Sequence, residues 1–241
     1  MRTPPGSGVA PVDRGYAQTV SADDCFERVE AAFKAAASAL QEGRVEFMLG
    51  GSLAAWVRGG PESCNDLDLI IRPADKERAL EALEQAGMRT ERPPEGWVVK
   101  GWHEGTLVDL ICEPMGIEID DEAFARADEV SAWGVPALAM PLEDVLVSKL
   151  LAMHEHYLDF APALELARAL REQIDWAQGR SRTGSSPYAR AFFTLIEELG
   201  IVPRAPQRER AEHPGIRVAT VGSRRGFSSG GRSSTARRDG S

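Results

Sequence analysis

The sequence predicts an α+β fold, α/β-like in its alternation, with a mixed sheet flanked by helices and a helical C-terminal part. Two observations predict it. Between residues 45 and 135, short runs of β-branched and aliphatic residues alternate with amphipathic stretches at helical spacing, the pattern of a sheet with helices packed on it. From residue 142 to 199 the apolar residues recur only at helical spacing, so the chain closes with helices.

The elements follow in order. Residues 1–20 are rich in Pro and Gly and lack periodicity, which reads as a disordered lead-in. Ser21 to Asp24 form a capping box, and Phe26, Val29, Phe33, Ala36 and Leu40 then recur on one helical face until Gly43. A strand over 45–49, a turn at Gly50 and Gly51, a helix over 52–57 and a strand over 67–71 come next. Residues 74–86 form an amphipathic helix closed by Gly87, and 97–102 and 106–112 form two strands of a hairpin joined through His103, Glu104 and Gly105. A short helix over 122–127 and a strand over 130–135 precede Pro136 and Pro141. Helices are expected over 142–160, 163–176 and 188–199. The expected division is a core over 21–136, a helical part over 137–200 and a disordered Arg/Gly/Ser-rich tail over 201–241.

Composition narrows the function classes. The chain has 241 residues, 43% of them hydrophobic, enough for a packed core. No run reaches the length of a membrane span and residues 1–6 lack the apolar centre of a signal peptide, so a cytoplasmic protein with no membrane partner is expected. Cys25, Cys64 and Cys112 are dispersed without metal-ligand spacing and read as buried thiols. The net charge of −9 is uneven: from Arg204 onward there are nine Arg against three acids, leaving that tail at +6 and the remainder at −15. An acidic body is a poor generic binder of nucleic acid, whereas the tail has the composition for loose RNA contact or for an idle extension.

The chemistry lies in three carboxylates on apolar strands. In Asn65-Asp66-Leu67-Asp68-Leu69-Ile70-Ile71, alternation sets Asp66 and Asp68 on one face and Leu67, Leu69 and Ile71 on the other. Two like charges side by side call for a cation, and an oxygen-only pair suits Mg2+, with Mn2+ as the alternative. The other reading is a solvated strand end. Asp109, within Thr106-Leu107-Val108-Asp109-Leu110-Ile111-Cys112, supplies a third carboxylate. If the two strands are neighbours, the three carboxylates suffice for two divalent ions and an in-line displacement at phosphorus. Otherwise Asp109 is paired with Arg58 or Arg72. Gly50, Gly51 and Ser52, between strand and helix, allow a tight turn whose backbone N–H groups cradle phosphate, or serve as a turn alone.

Lys149 interrupts the stripe of Leu142, Val145, Leu146, Leu150 and Met153, either to meet nucleotide phosphates or to snorkel along the helix edge. His154 and His156, two apart on the expected helix, face different directions and do not share a metal. Asp159 reads as a solvated helix-end carboxylate. The five tryptophans, Trp56, Trp97, Trp102, Trp133 and Trp176, read as core or rim aromatics.

Gly50-Gly51-Ser52, Asp66-x-Asp68 and the later Asp109 resemble the nucleotidyltransferase superfamily of the polymerase β type. The helix from Pro141 to Leu151, with Lys149 and the later Asp159, is similar to the small bacterial branch of AbiEii-type toxins. The resemblance spans roughly residues 45 to 170. It implies a nucleotidyltransferase-type fold and a transferase of EC 2.7.7 type, moving an NMP from ATP or another NTP to an acceptor hydroxyl on RNA or protein with release of pyrophosphate. Asp66, Asp68 and Asp109 would be its catalytic and metal-binding residues. Gly50, Gly51, Ser52 and Lys149 would bind the nucleotide, two Mg2+ would be the cofactors, and an antitoxin would be a partner. The rivals are an antibiotic nucleotidyltransferase acting on an aminoglycoside or lincosamide, which the acidic body suits, and a catalytically silent binding module.

Overall fold

In a computed structural model, residues 22–62 and 67–204 are described. The expected lead-in, the Ser21 cap, Cys64, Asp66 and the tail beyond Arg204 lie outside the described residues.

Helix α1 (Ala22–Glu42) buries Val29, Phe33, Ala36 and Leu40, the face set by their spacing. Strand β1 (Phe47–Leu49) leads through Gly50 into the short helix α2 (Gly51–Trp56), and β2 (Leu67–Ile71) follows. A 3-10 turn (Pro73–Asp75) opens α3 (Lys76–Gln85), then come β3 (Arg89–Glu91), β4 (Val98–His103) and β5 (Thr106–Ile111). After α4 (Asp121–Ala125), whose N-cap Asp120 accepts from the Ala123 N–H at 2.8 Å, β6 (Asp128–Ala132) and β7 (Val135–Ala139) form a hairpin. Four helices follow among the described residues: α5 (Leu142–Leu151), α6 (Ala161–Leu170), α7 (Trp176–Thr183) and α8 (Pro187–Glu198).

The seven strands described form one mixed sheet in the order β3-β4-β5-β2-β1-β7-β6. The β2/β5 and β1/β7 pairs are parallel and the rest antiparallel. Leu67, Leu69 and Ile71 of β2 and Val108 and Leu110 of β5 are fully buried and lie on the face against which α1 and α3 pack. Gly101 of β4 fixes that orientation, because a Cβ there would lie 2.8 Å from Leu83 Cδ1 on α3. Alternation then turns Lys100 and Trp102, and in register with them Asp109 and Asp68, to the opposite face.

Several sequence expectations are corrected. The strand expected over 130–135 is the end of β6 and its turn: Trp133 and Gly134 both hold positive φ (48° and 81°), the conformation that joins a two-residue hairpin. Pro136 does not stop the sheet. β1 covers β7 only at Leu138 and Ala139, so the missing N–H of Pro136 costs no bond to β1. Strand β3 escaped notice because Arg89-Thr90-Glu91 is polar and short, an edge strand held by β4 alone. The helix expected over 142–160 stops at Leu151. A turn bridging His154 and Tyr157 follows, so the two histidines are not on a helix, and α6 starts after Asp159, which accepts from the Ala161 N–H at 2.9 Å. The helix expected over 163–176 ends at Leu170, and Trp176 begins α7 under the Asp175 cap.

Trp133 keeps its positive φ because its ring is locked: it stacks on Trp56 at 4.5 Å and meets Phe26 and Phe33 at 5.2 and 5.5 Å. This cluster ties α1 to α2 and the β6–β7 turn. Phe33 is fully buried in it, so Phe33→Ala is expected to cost about 3–5 kcal/mol, read as a lower urea midpoint at unchanged slope.

Candidate active site

The parallel pairing of β2 with β5 places Asp68 directly beside Asp109 in register, on the face away from α1 and α3. The neighbourhood on which the sequence argument depended is therefore present for these two. Asp109 is buried and Asp68 half-buried. Two adjacent carboxylates at this depth need cationic or hydrogen-bond compensation.

For Asp109 that compensation comes from β4. Lys100 Nζ lies 3.0 Å from Asp109 Oδ1 and 3.4 Å from Oδ2, across the antiparallel register that opposes the two residues. Neither expected arginine is its partner. Arg58 donates to Asp128 at 2.5 Å and to the carbonyls of Ala54 and Ala139, while Arg72 pairs with Glu46 at 2.8 Å and Asp121 at 3.0 Å. Burial disfavours the Arg72 charge, but Glu46 and Asp121 outweigh it and hold its pKa above the usual value.

For Asp68 the neighbour is the β1–α2 turn. The Gly50 N–H donates to the Asp68 carbonyl at 2.9 Å, clamping the turn onto β2. Gly51 has φ +48°, and a Cβ there would fall 1.8 Å from Asp68 Oδ2. Only glycine leaves room for that carboxylate against the backbone. Ser52 follows in the first turn of α2, half-buried.

Lys149 sits in the last turn of α5, half-buried, behind the stripe of Leu142, Val145, Leu146, Leu150 and Met153, all buried. Among the described residues no carboxylate pairs with it, and α5 packs on α2. The buried acid of α5 is instead Asp144, held by Arg182 and, at 3.3 Å, by Arg126. Sequence reading missed that network. Its signal, an acid within an apolar helical run, was masked because Asp144 also suits a helix first turn. Asp159 is exposed and accepts from the Ala161 N–H just before α6. Cys112 is buried, which pushes its thiol pKa up, and Cys25 is half-buried. Among the tryptophans, Trp97 is exposed at 44%, and Trp102 carries the Arg89 guanidinium on its ring at 3.6 Å.

The donor set can be held against a hard divalent cation. Asp68 offers carboxylate oxygens, the donor type that suits Mg2+ or Mn2+, with Oδ2 packed against the Gly51 backbone. Asp109 offers the same donors, with Lys100 already against both of its oxygens. Among the described residues no group of three or more such ligands could hold a metal ion, so Asp68 and Asp109 supply part of a donor set.

No family model matches the sequence, and no curated protein matches it. Among solved structures, the chain is similar to the antibiotic-resistance factor ANT(2'')-Ia in solution, with 15% identity over 71% of this chain and 92% of that one and a TM-score of 0.44. It is similar to the lincosamide antibiotic adenylyltransferase LnuA in its lincomycin-bound crystal structure, with 15% identity, coverage of 60% and 96%, and a TM-score of 0.43. A third similar chain is an antigenic nucleotidyltransferase-like protein from Paracoccidioides brasiliensis, with 11% identity, coverage of 75% and 90%, and a TM-score of 0.42. No helix among the described residues is long and apolar enough to cross a membrane.

Proposed function

We propose that the chain is a metal-dependent nucleotidyltransferase that moves an NMP from an NTP to an acceptor hydroxyl and releases pyrophosphate. The observation that carries this reading is the register of Asp68 beside Asp109, with the Gly50-Gly51 turn clamped against the first of them. Asp68, with Asp66 from the sequence pattern, holds Mg2+. When bound, the ion neutralises phosphate charge and orients the α-phosphorus for in-line attack. The backbone of Gly50 and Gly51 and the Ser52 hydroxyl receive the β and γ phosphates, with Lys149 as a cation for the same group. Asp109 orients the acceptor hydroxyl and takes its proton.

The acceptor of this reading is RNA or protein, as in the toxin-like branch that the α5 sequence resembles, with an antitoxin as partner. The net charge of −15 before Arg204 favours a second reading, a cationic small molecule such as an aminoglycoside. The test is label transfer from each labelled NTP, with Mg2+, to total RNA, to protein and to aminoglycosides and lincosamides. Transfer that disappears in Asp68→Asn supports the reading and names the acceptor. No transfer, together with no Mg2+-dependent thermal shift by any NTP, returns the chain to a silent binding module.

A further inference from the structure

We infer that the acceptor is the 3′-terminal nucleotide of an RNA strand, with its base stacked on a platform made by Arg89 and Trp102 and its ribose hydroxyl at Asp109. The inference rests on the nucleotidyltransferase reading above, in which Asp109 meets the acceptor. Arg89, Trp102 and Leu107 stand opposite one another across β3, β4 and β5, in the row next to Lys100 and Asp109 and on the same face of the sheet. Trp102 is thus the diagonal neighbour of Asp109, about 7–8 Å away between Cα atoms.

Trp102 does not serve the core. Trp56, Trp133 and Trp176 pack against the hydrophobic core, whereas Trp102 and Leu107, both half-buried, stay outside it. The Arg89 guanidinium lies 3.6 Å from the centroid of the Trp102 ring, and Arg89 is exposed, so a flat cation rests on the indole and reaches solvent. Among the described residues no carboxylate pairs with Arg89, and Glu91, the acid of β3, stands in the next row opposite Lys100. Stacked arginine and tryptophan planes make a surface on which a nucleobase lies, and the unspent positive charge draws a phosphodiester. The rival acceptors fit this surface less well. An aminoglycoside is a polycation without an aromatic ring and is repelled by Arg89, and a serine or threonine hydroxyl of a protein brings no ring to the platform. A terminal nucleotide carries base and hydroxyl in one unit, which matches a platform diagonal to the group that takes the proton. Stacking reads a base without a track of phosphate contacts, so it operates beside a body of net charge −15 that disfavours generic RNA binding.

The experiment measures binding of 5′-labelled hexaadenylate with a free 3′ hydroxyl to the full chain by fluorescence anisotropy, against the same oligonucleotide with an abasic 3′-terminal residue. Removing the terminal base is expected to weaken binding to the wild type about 10- to 100-fold, the worth of one stacked base. Trp102→Ala is expected to bind both forms alike, as weakly as the wild type binds the abasic one. Trp102→Phe should keep most of the preference and Arg89→Gln should lose part of it, with NTP-dependent thermal shifts as in the wild type throughout. Equal binding of the two forms by the wild type overturns the inference, and this comparison decides alone should Trp102→Ala not fold. A preference that survives Trp102→Ala overturns it as well. Label transfer to an aminoglycoside, a lincosamide or a protein but not to RNA does the same while leaving the nucleotidyltransferase reading standing. No NTP-dependent shift in the wild type overturns that reading and this inference with it.

Discussion

Asp68→Asn is expected to lower nucleotidyl transfer about 10³-fold or more, because a bound divalent ion contributes several kcal/mol of charge stabilisation in the transition state and each 1.4 kcal/mol is a factor of ten. The fold should tolerate the change. Asp68 lies on the face away from α1 and α3, so the buried row of Leu67, Leu69 and Ile71 is untouched. Single-turnover transfer and a thermal melt on the same preparation separate the two effects. Asp109→Asn is expected to lose transfer as well, but to keep NTP affinity, since its assigned partner is the acceptor. Removing Asp109 also strands Lys100, whose ammonium loses the carboxylate 3.0 Å away, so a modest loss of stability should accompany it.

Gly51→Ala is the second large effect, and a methyl group is enough to produce it. The new Cβ would lie 1.8 Å from Asp68 Oδ2 at a φ of +48°, so either the turn or the carboxylate must move. The Gly50 N–H bond to the Asp68 carbonyl holds the turn to β2, which leaves the carboxylate side chain as the part that yields. A displacement on the order of 1 Å in a positioning group costs about 10²-fold in rate. The stability cost of alanine at positive φ is about 1 kcal/mol. Transfer should therefore collapse while the melting temperature falls by only a few degrees. Equal losses in both would mean that Gly51 serves the fold alone.

The acidic strands and the Gly-Gly turn were legible because charge in an apolar strand and glycine between strand and helix are local signals. β2 runs over the residues that the alternation of Asp68 with Leu67, Leu69 and Ile71 marks out. Lys100 was not legible. On a half-buried strand such as Val98-Val99-Lys100-Gly101 a lysine looks like any solvent-facing residue, and only the β4/β5 register sets it opposite Asp109. The same limit hid β7, where Pro136 reads as a breaker until the offset of β1 shows that its N–H is not needed. Asp159 and Pro162 mark the start of α6 and put the expected helix boundary there, whereas α5 ends at Leu151 and no Gly or Pro in residues 152–156 announces that end.

The central claim is that Asp68 and Asp109 on β2 and β5 frame a metal-dependent site, and paramagnetic broadening of backbone amide signals by Mn2+ tests it most directly. Titrated into the full chain, Mn2+ should first erase the amides of Gly51, Asp68 and Asp109, and Asp68→Asn should restore them. Early broadening at another acidic cluster, such as Asp24, Glu27 and Glu104 around the start of α1, with the β2 and β5 amides untouched, would contradict it.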